Sequence, residues 1–174
     1  MPYRYVPVEQ PVICNICQYQ TEYHYYHNKY NRRQSHEWFD NIPKNVEVLH
    51  TNVFGKCINL KEVAFNECIR TIDNEAFCYC SSLESVVLPN SVTTIGGKAF
   101  SECKNLRKLY IPKNVVSISK DAFSNLYGVK EIVVDKDNKV YDSRDNCNAI
   151  IETKTNTLLL NCDNSFIPET VTII

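Results

Sequence analysis

Apolar and polar positions recur along most of this chain with a period of 23 residues. Phe54, Phe77, Phe100 and Phe123 mark the period, each preceded by a small residue: Val53, Ala76, Ala99 and Ala122. Behind each Phe come, in turn, a column of Cys57, Cys80, Cys103 and Leu126, then one of Leu60, Leu83, Leu106 and Val129. Two more columns follow: Val63, Val86, Leu109 and Ile132, then Phe65, Leu88, Ile111 and Val134. Pro89 and Pro112 close two copies; Asn66 and Asp135 hold that slot in the others, and Pro43 lies one period earlier. The return half of each copy carries Val46/Leu49, Ile69/Ile72, Val92/Ile95 and Val115/Ile118.

The stretch L-x-x-V-x-Φ alternates in the manner of a short strand, and a proline ends it because it cannot donate to a ladder. The return path V-x-x-I-x-x-x-A-F predicts a second short extended piece and one helical or 3₁₀ turn. A unit this small cannot bury its apolar face alone. Stacked units bury a continuous core, each touching only its neighbours. Equivalent residues then repeat at about the 4.8 Å inter-strand spacing, so the phenylalanines are expected to form one ladder and the cysteines another.

The run from Cys80 to Phe100 (Cys-Ser-Ser-Leu-Glu-Ser-Val-Val-Leu-Pro-Asn-Ser-Val-Thr-Thr-Ile-Gly-Gly-Lys-Ala-Phe) resembles the BspA-like class of leucine-rich repeats. The likeness covers about residues 42–134, as four units of 23. It resumes at Ile167–Ile174, which restarts a unit and stops within it, and Tyr141 to Cys162 resembles an insertion found in that family. The resemblance implies a right-handed, β-rich (α/β) leucine-rich repeat solenoid. It also implies a secreted or cell-surface protein, because members of the class are typically surface proteins of host-associated bacteria and some protists, implicated in adhesion. The implied partner is a host or matrix protein.

Two segments depart from the period. In residues 135–166, a polar turn at Asp135–Lys139 precedes Asn148–Glu152 and Thr157–Asn161, which read as a β-hairpin about Thr153–Asn156. Cys147 and Cys162 are symmetric about that turn. A regular hairpin would set them opposite each other, as a cross-strand disulfide or as two reduced residues packed beneath it. Residues 1–41 hold 7 of the 11 Tyr and 3 of the 4 His and none of the repeat. They read as an N-terminal cap, since a solenoid end exposes core unless something covers it. A small separate module is the alternative. Residues 167–174 then begin a truncated further repeat, whose uncapped end invites more repeats.

Composition narrows function mainly by exclusion. With 44% hydrophobic residues and a net charge of −1, the chain should fold around a core and lacks the basic surplus of a nucleic-acid binder. Its 4 Gly include no G-x-G-x-x-G and no P-loop. No apolar run reaches the roughly 18–20 residues of a membrane span, so no membrane insertion is expected. The opening Met1-Pro2-Tyr3-Arg4-Tyr5 does not read as a signal peptide, which keeps a cytoplasmic location open beside the surface one.

Cys14-x-x-Cys17 with His24-x-x-His27 has four zinc-type ligands, but the gap of six is shorter than usual and the histidines are one residue too close. Zinc there is a minor alternative, and otherwise no metal or cofactor is expected. The columnar Cys57, Cys80 and Cys103 follow the repeat, and Leu126 replaces them, so packing explains them. Nucleophilic catalysis needs a positioned His, and the repeats hold only His50; no enzyme activity is expected. The informative surface is the outward face of the L-x-x-V-x-Φ strands, expected to be concave. One outward column is Ala64, Val87, Tyr110 and Val133; the next is Glu62, Ser85, Lys108 and Glu131; a third is Lys61, Glu84, Arg107 and Lys130. An apolar stripe with Tyr110 and Arg107 as anchors inside a charged rim has the make-up of a protein-binding site. The expected function is therefore a non-enzymatic protein-binding or adhesion module. A structural spacer in a longer repeat protein and an N-terminal zinc module are the alternatives.

Overall fold

The computed structural model describes residue 42 and residues 44–172. The expected N-terminal cap, with Cys14, Cys17, His24 and His27, lies outside the described residues. The periodic sequence folds into very short strands, because only two to four residues per half-unit alternate before a polar or proline break. They are β1 (Val48–Leu49), β2 (Thr71–Ile72), β3 (Ser85–Val86), β4 (Thr94–Ile95), β5 (Lys108–Ile111) and β6 (Ser117–Ile118). The rest are β7 (Glu131–Val134), β8 (Tyr141–Asp142), β9 (Ala149–Glu152) and β10 (Thr157–Asn161), with one 3₁₀ turn at Arg144–Asn146.

The strands form two parallel sheets whose register is the sequence period. In the first, ordered β1-β2-β4-β6, Val48 pairs with Thr71, Thr71 with Thr94 and Thr94 with Ser117. In the second, ordered β3-β5-β7, Ser85 pairs with Lys108 and Lys108 with Glu131. A third ladder closes each coil on its turn side. There the N–H groups of Phe54, Phe77 and Phe100 donate to the carbonyls of Ala76, Ala99 and Ala122 at 2.7, 2.7 and 2.9 Å.

The turn side corrects one expectation. No helical turn forms before or after the A-F pair. Asn52, Glu75 and Lys98 occupy the left-handed region in one repeat slot; Lys56, Tyr79, Glu102 and Asn125 do so in another. A right-handed turn cannot run through such residues. The chain instead folds as successive tight turns, such as Cys80 N–H to the Phe77 carbonyl at 3.1 Å, and alternate N–H groups are left for the next coil.

The core runs through the stack. Phe54, Phe77, Phe100 and Phe123 lie nearly parallel, with successive ring centroids 4.9, 5.1 and 5.7 Å apart. Offset aromatic stacking at such distances adds to the area term. Leu83, Leu106, Leu109, Ile72 and Ile95 fill the space between the sheets and are wholly buried or nearly so.

At the far end of the stack, side chains take over the role of the next coil. Asn138 donates to the carbonyls of Pro112 and Val115 at 2.8 and 3.0 Å, and the Tyr141 hydroxyl accepts the Ile118 N–H at 2.8 Å. Asn148 accepts the Ile132 N–H and donates to the Lys130 carbonyl. The antiparallel β8, β9 and β10 then form a three-stranded sheet, and Thr172 pairs with Thr157 along the outer edge of β10.

The hairpin forms, but its symmetry does not. Leu158 faces Ile151, whereas Leu160 faces Ile150, so one residue is bulged between them. A one-residue slip moves every later side chain to the other face. Cys162 therefore lies against Asn148, whose Nδ2 is 3.0 Å from its Sγ, while Cys147 packs with Ala149 and Ile151 in a separate small cluster. Both are free thiols, and no cross-strand disulfide links them.

Candidate functional site

The second parallel sheet has three strands for four repeats. Lys61–Phe65, the first copy of L-x-x-V-x-Φ, forms no strand. Only the Glu84 N–H reaches back to it, at the Lys61 carbonyl, 2.9 Å away. Val63 is still buried and Phe65 still rests on Phe77, with ring centroids 5.8 Å apart, so the segment stays anchored by its inward residues. Its outward backbone parts from β3. Along that parting lies an open cleft of about 450 Å³ lined by Ala64, Phe65, Val87, Pro89 and Tyr110, with Glu67 at its edge. Strand pairing was expected in all four repeats. At the closing slot, Asn66 donates to the Val46 carbonyl and accepts the Cys68 N–H.

The outward columns lie where alternation places them. Ala64 and Val87 are exposed, Val87 by 75%, and Tyr110 and Val133 are half-buried. Lys61, Glu62, Glu84, Arg107, Lys108, Lys130 and Glu131 are all exposed. The side chains differ in how far they are already committed. Lys108 pairs with Glu131 at 2.7 Å. Arg107 donates to the Gly128 carbonyl at 3.1 Å and to Asn105 at 3.3 Å. Gly128 has to be glycine for this approach, because a Cβ there would meet the Lys104 carbonyl at 2.2 Å. The Tyr110 hydroxyl donates to Asp135 at 2.5 Å. That bond pushes the phenol up to about 12 and holds the Asp135 carboxyl below its usual value. Tyr110 is therefore a fixed ring at one end of the cleft rather than a mobile side chain. Asp135 sits in the periodic closing slot, but nothing in that slot signals a bond to Tyr110, and Gly128 carries no periodic signal, so sequence reasoning missed both partnerships.

The cysteine column is a structural ladder with a bonding role. The Cys80 thiol donates to the Phe54 carbonyl at 3.1 Å and the Cys103 thiol to the Phe77 carbonyl at 3.2 Å. Burial pushes Cys57 up to about 11 and Cys103 up to about 12, and it raises Cys80 as well. These thiols are poor nucleophiles. Among the described residues, no cluster of three or more His, Cys, Asp or Glu could hold a metal ion, and no helix is long and apolar enough to cross a membrane.

Coils of two parallel sheets and a turn ladder, stacked in a strict 23-residue register, define a leucine-rich repeat solenoid. More narrowly, the chain belongs to the BspA-type leucine-rich repeat region family, whose profile matches residues 31–150 in six copies. That match starts before the expected first repeat and runs into the insertion. Similar solved structures include a leucine-rich repeat protein from Bacteroides ovatus, 26% identical with a TM-score of 0.50, over 52% of this chain and 24% of that one. The pneumococcal vaccine antigen PcpA is 20% identical with a TM-score of 0.57, over 75% of this chain and 39% of that one. A leucine-rich repeat protein from Eubacterium ventriosum is 18% identical with a TM-score of 0.55, over 71% and 40%. The latter two likenesses concern the fold alone. This chain spans between 24% and 40% of the length of these three structures. No curated protein matches it.

Proposed function

We propose that the outward face of the β3-β5-β7 sheet is a protein-binding surface, and that the chain acts as a non-enzymatic adhesion or recognition module at a cell surface or in secretion. Family membership supports the coarser half of this reading. Repeat proteins of this kind serve protein interaction or act as repeat scaffolds, and the fold is generally non-enzymatic. The observation that carries the finer half is the coincidence of the cleft with the exposed apolar column: Ala64, Val87 and Tyr110 line it together. An apolar centre inside a rim of Lys61, Glu62, Glu84, Arg107, Lys108, Lys130 and Glu131, with Val133 continuing the stripe beyond Tyr110, has the layout of an interaction site. The partner class implied by the family is a host or matrix protein.

The test is binding of the purified chain to an array of immobilised matrix and serum proteins, with Tyr110→Ala as the comparison. A hot-spot aromatic contributes about 2 kcal/mol or more to binding, so at least one interaction should weaken by a factor of about 30 while the melting curve stays close to wild type. Undiminished binding by a folded Tyr110→Ala variant would remove this face from consideration. A second reading, repeat scaffold, is favoured by one contact: Thr172, in the segment that restarts a repeat, pairs with Thr157, so the array can stack onto the hairpin sheet.

A further inference from the structure

Where β3 parts from the first repeat, the regular register leaves two rungs unmade. The pattern seen between β5 and β7 would bond the Val63 N–H to the Ser85 carbonyl and the Val87 N–H to the Val63 carbonyl. Neither bond forms, and no side chain substitutes. The cleft thus presents main-chain donors and acceptors beside an apolar floor. Unpaired strand-edge groups of this kind are the template for adding an extended chain, with main-chain bonds supplying affinity and alternate side chains supplying selectivity.

Charge at this end of the face is one-sided. Glu62, Glu67 and Glu84 are exposed carboxylates, and none is in an ion pair among the described residues. Lys61 is the cation set among them. Further along the face, Lys108 pairs with Glu131, while Arg107 keeps its charge as it bonds the Gly128 carbonyl and stands with exposed Lys130. The cleft end is acidic and the rest of the rim is net positive, so a basic segment is drawn to the cleft end.

We infer that the cleft between Lys61–Phe65 and β3 takes an extended peptide segment of a protein partner that alternates apolar with basic residues. The backbone of that segment bonds at Val63, Ser85 and Val87. One apolar side chain sits among Ala64, Val87 and Tyr110, and Lys or Arg side chains reach Glu67 and Glu84. This inference rests on the strand face being the binding surface, and it adds where on that face the partner enters and which chemistry it carries.

The probe is a fluorescein-labelled, acetylated hexapeptide alternating Val and Lys, titrated against the full chain by fluorescence anisotropy. A Val/Glu counterpart and a Val/Lys version N-methylated at alternate residues serve as controls. Surface charge pairs contribute about 0.2–1 kcal/mol each, so the Val/Lys peptide should bind about fivefold tighter than Val/Glu or better. Glu67→Gln with Glu84→Gln, exposed changes that leave the core untouched, should cut that preference to below about twofold. N-methylation should weaken binding, and amide exchange at Val87 should slow in the complex. Equal affinity for the two peptides, or tight binding by the methylated one with no slowing at Val87, overturns the inference. The broader reading fails separately: it falls if Tyr110→Ala leaves protein binding intact, whatever the peptides do. If Tyr110→Ala abolishes protein binding while the peptides are indistinguishable, this inference alone falls.

Discussion

Single residues here do work that their type alone does not announce. Cys80 and Cys103 fill inward slots and also satisfy a carbonyl of the preceding coil, which Leu126 cannot do. With the Cys103 thiol pushed up to about 12, its thiolate fraction at neutral pH is on the order of a thousandfold below that of a free cysteine. Native alkylation followed by peptide mass mapping should therefore label exposed Cys68 first among the described cysteines. Cys80 and Cys103 should react only on unfolding; early label on either contradicts the buried ladder. Tyr110 carries a pH signature. Its raised phenol contributes stability that is fully present below the ordinary value of 10.0 and is lost as pH rises through about 12. A spectrophotometric titration of wild type minus Tyr110→Phe should show one tyrosine ionising near 12, whereas a difference curve centred near 10 means that the Asp135 bond is not held in solution.

At the scale of the element, the repeat was legible because its inward slots recur in fixed order: Phe, Cys, Leu, Val, and then Leu or Ile before the proline. The parallel registers and the phenylalanine stack follow directly from that order. The turn side was not legible, because no residue type recurs within either left-handed slot: Asn52, Glu75 and Lys98 fill one, and Lys56, Tyr79, Glu102 and Asn125 fill the other. What they share is a backbone demand imposed by the ladder between coils. That demand is testable. Lys98→Gly removes a left-handed penalty of roughly 1 kcal/mol and should raise the denaturant midpoint, whereas Lys98→Val should lower it. The offset of Cys147 from Cys162 was equally hidden, since a bulge leaves no mark on hydrophobic alternation. The capping role of Asn138 was hidden too. Asn138→Ala leaves the Val115 carbonyl without its donor, whereas the Pro112 carbonyl keeps the Val115 N–H at 3.3 Å, and should cost about 1–3 kcal/mol for the buried group left unsatisfied. Equilibrium unfolding measures this, and an unchanged midpoint would show that water takes over the cap.

At the scale of the whole molecule, the solenoid makes one surface out of four repeats, and that surface is uneven. Its sheet is fully paired at β5 and β7 and parts at the first repeat, so the apolar column, the open rungs and the carboxylates that have no ion pair among the described residues meet at one end. The outward columns could be read from the sequence because alternation fixes them. The parting could not, because the inward pattern runs on unbroken through Val63 and Phe65 while only the outward backbone leaves β3. The most direct test compares two single charges placed at similarly exposed valines on different sides of the coil: Val87→Glu on the strand face, 75% exposed, and Val116→Glu beside the other sheet, 58% exposed. Both variants should keep the wild-type melting curve. Val87→Glu should lose binding to the proteins captured by wild type, by about tenfold or more, while Val116→Glu should keep it. Equal binding by both variants, or loss confined to Val116→Glu, contradicts the assignment of this face as the binding surface.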